Sequence, residues 1–158
     1  MCQAANDNGG GQVVVSGDKA AVERAVEIAK EKGARRAMLL PVSAPFHCAL
    51  MQPAADAMAD ALAKVAIKPP AVPLVANVLA RPISDPTEIV KSLVAQVTGT
   101  VRWRESVAFM ASAGVDSFYE VGAGKVLSGL VKRIADGVSG TAIGTPQDVA
   151  AFKAARAQ

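Results

Sequence analysis

The chain is poor in the residue types that several classes of protein depend on. It has two cysteines and one histidine, too few for a disulfide scaffold or for a zinc site built from these side chains. No apolar run approaches the roughly 20 residues of a membrane-spanning helix. The N-terminus has neither the basic start nor the apolar stretch of a signal peptide. The sequence therefore predicts a cytoplasmic protein with no metal site and no membrane partner.

Motifs for several common chemistries are also missing. Residues 137–141 (GVSGT) come nearest to a G-x-S-x-G nucleophile elbow, but they lack its final glycine. Residues 122–125 (GAGK) belong neither to a Walker loop nor to a dinucleotide fingerprint, because Val126 and Leu127 occupy positions that need Ser/Thr and Gly. The net charge of +3 is too mild to indicate nucleic-acid binding.

What is present is an alternation of strand and helix patterns. Short apolar runs predict strands at residues 12–16, 36–42, 73–78, 117–121 and 141–144. Amphipathic spacing and capping residues predict helices at residues 50–65, 86–97, 103–113, 124–135 and 146–157, and one more between Asp18 as N-cap and Gly33 as C-terminal glycine. This order is typical of a layered α/β or α+β protein, with a domain boundary near Val42.

The only histidine, His47, is the main candidate for chemistry. It should lie just before a helix that starts near Leu50, where the positive end of the helix disfavours imidazolium and leaves a neutral base. On position alone, a capping or half-buried structural role is an open alternative. Cys48 beside it suggests a Cys/His nucleophile pair as another alternative. Against this, neighbouring residues at a helix start point apart, and free cysteines are commonly buried.

Three basic residues, Lys125, Lys132 and Arg133, fall near one face of a predicted helix. An ordinary solvated face is one interpretation of this cluster. A docking surface for an acidic protein is the other, and the mild positive net charge fits it.

Five ordered segments resemble one family. They are AANDNGGGQVVVSG, LLPVSAPFHCALMQPAA, VPLVANV, SLVAQVTGTVRW and FYEVGAGKVLSGLVKRI, and together they span almost the whole chain. They resemble the malonyl-CoA:acyl-carrier-protein transacylases of bacterial fatty-acid synthesis. Any one segment would be weak support, but five in the right order favour a catalytic role for His47.

The resemblance implies a fold and an activity. Family members move malonyl from coenzyme A to the phosphopantetheine thiol of acyl carrier protein through a malonyl-serine ester, without a cofactor. The implied fold is a partial ferredoxin-like small subdomain at residues 1–42, then the C-terminal part of the α/β-hydrolase-like acyltransferase subdomain at residues 43–158. His47 matches the base that activates the serine, and Gln96 matches the glutamine whose main-chain carbonyl holds the second ring nitrogen.

Other residues match the family with less defined roles. Asn8 and Asn77 match asparagines near the cleft, so both are expected to contribute to substrate binding. Phe46 precedes the histidine, and an aromatic residue there accompanies malonyl rather than methylmalonyl in related polyketide acyltransferases. The ring would crowd an α-methyl branch, although packing alone is an alternative because many bacterial transacylases carry serine here. The basic cluster would dock the acidic carrier protein.

The resemblance also implies that parts of the enzyme lie outside this sequence. The serine elbow, an oxyanion-hole glutamine and the arginine that pairs with the malonyl carboxylate belong to an N-terminal half that the sequence lacks. We therefore expect a fragment without turnover of its own, which self-associates or pairs with the missing half through uncovered strand edges. A non-catalytic carrier-protein-binding module and an inert structural fragment are the alternatives.

Overall fold

A computed structural model describes residues 1–156 and has the mixed α/β character that the sequence predicts. The helices in this part of the chain are α1 (Lys19–Glu31), α2 (Gln52–Leu62), α3 (Pro86–Thr98), α4 (Trp103–Ser112), α5 (Val126–Ile134) and α6 (Pro146–Arg156), with a 3-10 turn at Ala49–Met51 before α2. The strands are β1 (Cys2–Asp7), β2 (Val13–Gly17), β3 (Leu74–Val75), β4 (Pro82–Ile83), β5 (Ser117–Val121) and β6 (Ser139–Ile143). None of these helices is long and apolar enough to cross a membrane.

The strands form small sheets in two compact units. β1 pairs with β2 and β3 with β4 in antiparallel fashion, whereas β5 and β6 are parallel. The first unit contains residues 1–8 and 12–103, and the second contains residues 9–11 and the chain from residue 104. The boundary near residue 42 stays a prediction.

In the first unit, β1 is hydrogen-bonded along both edges. β2 lies on one side, and the register between the two strands shifts between Ala4 and Asn6, which marks a β-bulge. On the other side, the N–H of Val101 donates to the carbonyl of Ala5 at 2.8 Å, and the N–H of Asp7 donates to the carbonyl of Val101 at 2.9 Å. β1 is therefore joined to the segment that follows α3.

The buried centre of the first unit lies against α3. Ala76, Ile83 and Ile89 form its core. Asp85 begins α3 as an N-cap, because its carboxylate accepts the N–H of Glu88 at 2.9 Å and Pro86 occupies the first turn. The helix that carries Gln96 thus has a fixed start and a buried face.

The second unit contains a β5–α5–β6 motif. The carboxylate of Glu120 on β5 accepts the N–H groups of Leu127 and Ser128 at 3.1 and 2.8 Å, and also the Ser128 hydroxyl. The hydrogen bonds from Ser128, followed by that from Leu127, hold the pKa of the Glu120 carboxyl below its ordinary value. A side chain from β5 therefore caps the N-terminus of α5.

Three local predictions differ from the structure, and two strands were missed. Residues 36–42 are not a strand, because no strand in residues 1–156 pairs with this segment, and Leu39 is exposed. β1 and β4 were not predicted, since their short or polar sequences lack a strong apolar run. Asp18 occupies the N-cap position of α1, yet its side chain makes no capping hydrogen bond. The second predicted helix is shorter than expected, because a 3-10 turn replaces its start.

Candidate active site around His47

His47 has an unusual backbone conformation. It lies in the loop before the 3-10 turn at Ala49–Met51, with φ at +60°. A residue other than glycine is rarely left-handed, and such strain persists only where surrounding contacts fix the chain. Functional sites are enriched in this kind of backbone strain, which makes the His47 loop a candidate for function.

The imidazole is oriented by a main-chain carbonyl. Nδ1 of His47 lies 2.8 Å from the carbonyl oxygen of Gln96. Since a carbonyl can only accept, Nδ1 carries the proton in this hydrogen bond, and the neutral ring then has Nε2 as its acceptor nitrogen. Gln96 belongs to the last turn of α3, where carbonyls have no partner one turn further along the helix. The pair predicted from the sequence is therefore brought together.

The ring has an electrostatic neighbour in addition to the helix start that the sequence predicted. We expected the positive end of a helix to disfavour imidazolium. A 3-10 turn does begin just after His47, but the direct partner of the ring is a carbonyl at the negative end of α3. Because a carbonyl oxygen only accepts hydrogen bonds, Nδ1–H keeps this partner when Nε2 takes a proton. The geometry suits a base that becomes transiently cationic.

Asn77 lies beside the same pair. Its side-chain amide donates to Oε1 of Gln96 at 3.4 Å, a long and therefore weak hydrogen bond. Its main-chain carbonyl accepts the N–H of Arg102 at 3.0 Å, and the Arg102 guanidinium donates to the carbonyl of Leu79 at 3.1 Å. The structure thus places Asn77 against the side chain of the orienting glutamine.

Asn8 and Phe46 are placed differently. Asn8 closes the turn between β1 and β2, its N–H donating to the carbonyl of Gln12 at 3.0 Å. No hydrogen bond within residues 1–156 joins the Asn8 side chain to His47 or Gln96. Phe46 precedes His47 and is 47% exposed, so the ring is not buried as a packing residue.

The neighbouring thiol is not arranged as a nucleophile. Cys48 is 0% exposed, and its Sγ donates to the carbonyl of Pro45 at 3.1 Å. Buried cysteines of this kind act as small packing residues. The Cys48 thiol is therefore not a partner of the imidazole. Across the described part of the chain, no group of three His, Cys, Asp or Glu side chains that could hold a metal ion is found.

The basic cluster is partly brought together in the second unit. Lys125 and Lys132 line a shallow depression of about 230 Å³ with Ser128 and Gly129, whereas Arg133 is not among the residues that line it. Lys132 and Arg133 lie in the last turn of α5, where cations interact favourably with the negative end of a helix. This helix-end effect is sufficient to account for Arg133 without a ligand.

Comparison with known proteins identifies the family. Residues 2–151 match the model of the acyl transferase domain. The chain belongs to this family. The malonyl CoA-acyl carrier protein transacylase of Salmonella typhimurium is 50% identical to this acyl transferase chain over 146 residues, which are 92% of the chain and 47% of that relative.

Solved structures of relatives show the same fold. The acyl-carrier-protein-S-malonyltransferase of Bartonella henselae is 54% identical, with a TM-score of 0.93 over 100% of this chain and 50% of that one. A malonyl-transacylase in complex with its type II PKS acyl-carrier protein is 41% identical, with a TM-score of 0.90 over 98% of this chain and 50% of that one. This acyl transferase chain thus spans about half the length of the relatives it matches.

Two residues near the site were missed from the sequence. Gln3 accepts the N–H of Ala49 at 2.8 Å, and Arg102 holds the segment next to Asn77. Neither residue type nor spacing signals such a role, because each contact joins positions far apart in the sequence.

Proposed function

We propose that this chain supplies the histidine base and part of the cleft of a malonyl transferase, which moves malonyl from coenzyme A to acyl carrier protein. The observation that carries the proposal is the 2.8 Å hydrogen bond between Nδ1 of His47 and the carbonyl of Gln96. This bond selects the tautomer in which Nε2 can accept a proton. The names of the relatives support malonyl CoA as donor and acyl carrier protein as acceptor.

In the proposed reaction, Nε2 of His47 takes the proton of a serine hydroxyl from the part of an acyltransferase domain that this chain does not span. The serine oxygen attacks the thioester carbonyl carbon, the carbon–sulfur bond breaks, and the imidazolium returns the proton to the coenzyme A thiolate. The ring then takes the proton of the phosphopantetheine thiol, whose sulfur attacks the malonyl ester carbonyl. The bond from this carbon to the serine oxygen breaks, and the imidazolium returns its proton to that oxygen. Each half forms an imidazolium that the Gln96 carbonyl stabilises, and no cofactor takes part.

The cleft residues are assigned supporting roles in this proposal. Asn77 contributes to substrate binding through its place beside Gln96, and Asn8 contributes from the β1–β2 turn. The exposed ring of Phe46 limits the space next to His47, so it excludes an α-methyl branch on the acyl group. In the complete enzyme, Phe46→Ser would then raise the use of methylmalonyl-CoA relative to malonyl-CoA. An unchanged ratio would assign Phe46 a packing role.

Carrier protein is proposed to dock on the face made by Lys125, Lys132 and Arg133. The side-by-side position of the two lysines on a shallow depression supports this, as does the relative solved with its carrier protein. Charge reversal of Lys132 and Arg133 would raise the KM for carrier protein without raising the KM for malonyl-CoA. Equal effects on both substrates, or none, would assign these residues to an ordinary solvated face.

The same face supports a second candidate function, a carrier-protein-binding module without catalysis. This candidate predicts that the isolated chain binds acyl carrier protein in a salt-dependent manner and forms no acyl adduct. An inert structural fragment would do neither. A binding titration with carrier protein at two salt concentrations separates the two.

We also propose that the exposed apolar side chains are covered in the working protein. Val13, Leu39 and Leu74 are 60%, 47% and 41% exposed. Uncovered apolar surface and open strand edges recruit other chains, so the isolated chain self-associates or pairs with the half of the domain that it does not span. A monodisperse monomer in light scattering would contradict this.

The cytoplasmic setting proposed here is supported by the unpaired thiols of Cys2 and Cys48.

Mass spectrometry tests whether the nucleophile lies outside this chain. After incubation with malonyl-CoA, the isolated chain should show no malonyl adduct on a serine, because a base cannot form an acyl-enzyme by itself. A stoichiometric adduct on Ser16, Ser43 or Ser139 would overturn this part of the proposal. The same chain incubated without malonyl-CoA is the control.

A further inference from the structure

A side chain from β1 reaches the loop that carries His47. Oε1 of Gln3 accepts the N–H of Ala49 at 2.8 Å. Ala49 opens the 3-10 turn, which is closed by the N–H of Met51 donating to the carbonyl of Cys48 at 3.0 Å. The hydrogen bond therefore satisfies a main-chain donor at the start of the turn, two residues beyond His47.

β1 also contacts the segment that follows α3, the helix that carries Gln96. The hydroxyl of Thr100 donates to the carbonyl of Ala4 at 2.6 Å, and the N–H of Val101 donates to the carbonyl of Ala5 at 2.8 Å. Thr100 follows α3 by two residues, so these bonds fix the end of the helix that presents the Gln96 carbonyl. The bulge in β1 lies at these positions, as expected where a strand redirects its groups.

β1 is thus hydrogen-bonded both to the loop that carries His47 and to the segment that follows α3, the helix that carries Gln96. The loop is bonded through the Gln3 side chain, and the segment through main-chain groups of the strand. The distance between Nδ1 and the carbonyl oxygen depends on how these two segments are placed relative to one another. Because His47 is in a left-handed conformation, its loop needs such external contacts to keep that shape.

We infer that Gln3 is a positioning residue for His47: its side-chain oxygen holds the histidine loop on β1, so that Nδ1 stays within hydrogen-bond distance of the Gln96 carbonyl. Its importance for catalysis rests on the proposed function. The positioning itself does not, because it concerns only the state of the ring in the folded chain.

Nitrogen-15 NMR of the ring tests the inference directly. The chain has one histidine, so a sample labelled with ¹⁵N-histidine gives signals from His47 alone. The parent chain should show the Nδ1–H tautomer with slow proton exchange. Gln3→Met keeps the length of the side chain and removes its acceptor, so exchange of Nδ1–H should rise by about five- to tenfold, as expected for loss of one hydrogen bond. Gln3→Glu restores an oxygen and should return exchange to the parent rate.

Gln12→Met is the matched control, because Gln12 is also exposed in the first unit. Gln3→Asn is a second variant that keeps the amide and shortens its reach, and it should behave as Gln3→Met does even if methionine is poorly tolerated in β1. An unchanged ring spectrum in Gln3→Asn, failure of Gln3→Glu to restore it, or an equal effect of Gln12→Met would each overturn the inference. None of these readouts needs acyl transfer, so failure of the proposed function would be seen separately.

Discussion

The His47 site and the β5–α5–β6 motif use hydrogen bonds of different reach. The bond from His47 to Gln96 joins residues 49 positions apart, whereas the bond from Ser128 to Glu120 joins residues 8 apart. The first arrangement exists only when much of the first unit is folded, and the second is fixed within one strand–helix connection. The position of the imidazole therefore depends on residues far away in the sequence. The hydrogen bonds that cap α5 depend mainly on residues within the β5–α5 connection itself.

The largest effect is expected from the imidazole itself. His47→Ala is examined in a fused enzyme, in which this chain is joined to the half of the Bartonella henselae relative that it does not cover. Loss of a general base typically reduces acyl transfer by about 100- to 10,000-fold. The melting temperature should change little, because a half-buried ring contributes little packing. Ser43→Ala, in the same loop, is the control, and a variant that keeps its rate but melts far earlier would make His47 structural.

Substitutions at two glycines test the comparison through the free energy of unfolding. A Cβ at Gly99 would lie 2.8 Å from the carbonyl of Ala95 and 2.9 Å from Val78, whereas a Cβ at Gly129 would have no atom within 4 Å. Gly99→Ala should therefore cost about 1–3 kcal/mol of unfolding free energy and displace the end of α3. Gly129→Ala, inside α5, should be neutral or stabilise by about 0.5–1 kcal/mol. Urea unfolding measures both, and equal effects would contradict the difference in packing.

Two aspartates at helix starts give a smaller contrast. Asp85 caps α3 through the N–H of Glu88, whereas Asp18 makes no such bond and contacts the N-terminal ammonium group. Asp85→Ala should cost about 1 kcal/mol, the usual value for a lost N-cap. Asp18→Ala should cost less, because exposed ion pairs contribute little. Thermal unfolding of both variants tests the order, and a larger loss in Asp18→Ala would reverse it.

The smallest expected effect is the pH dependence at Glu120. Its folded-state pKa is lowered from 4.5, so the carboxylate stabilises the fold above that pH, and this contribution is lost as the pH falls through the folded-state pKa. Glu120→Gln should therefore flatten the acid side of the stability profile in the region below pH 4.5. Glu27→Gln, an exposed carboxylate on α1, is the control. An unchanged acid limb in Glu120→Gln would show that the hydrogen bonds from Ser128 do not favour the ionised form.

The predictability of the fold follows the same division. β5, α5 and β6 were predicted from local patterns, because an apolar run and an amphipathic helix are joined by short connections. β1 was missed, since its sequence has no run of large apolar residues and one of its two neighbours, the segment at Val101, is distant in the sequence. The predicted strand at residues 36–42 was wrong for a different reason. Its sequence is apolar enough for a strand, but no strand within residues 1–156 pairs with it.

The candidate site was predictable in its residues more than in its chemistry. Family resemblance gave His47 and Gln96, and the structure brings them together. Reasoning from sequence position placed the ring just before a helix, where the structure has the 3-10 turn that leads into α2, but it did not reveal the carbonyl at the end of α3. The role of Gln3 could not be found at all, because nothing in a strand residue indicates that its side chain meets a loop more than forty residues away.

The central claim is that this chain provides the base for a serine that lies in the other half of an acyltransferase domain. Co-expression of the chain with the half of the Bartonella henselae relative that it does not cover tests this most directly. The readout is transfer of malonyl from malonyl-CoA to acyl carrier protein, detected by mass spectrometry of the carrier protein. We predict no transfer by either half alone and transfer by the pair, abolished by His47→Ala in this chain. Transfer by the pair that persists in His47→Ala, or transfer by this chain alone, would contradict the account.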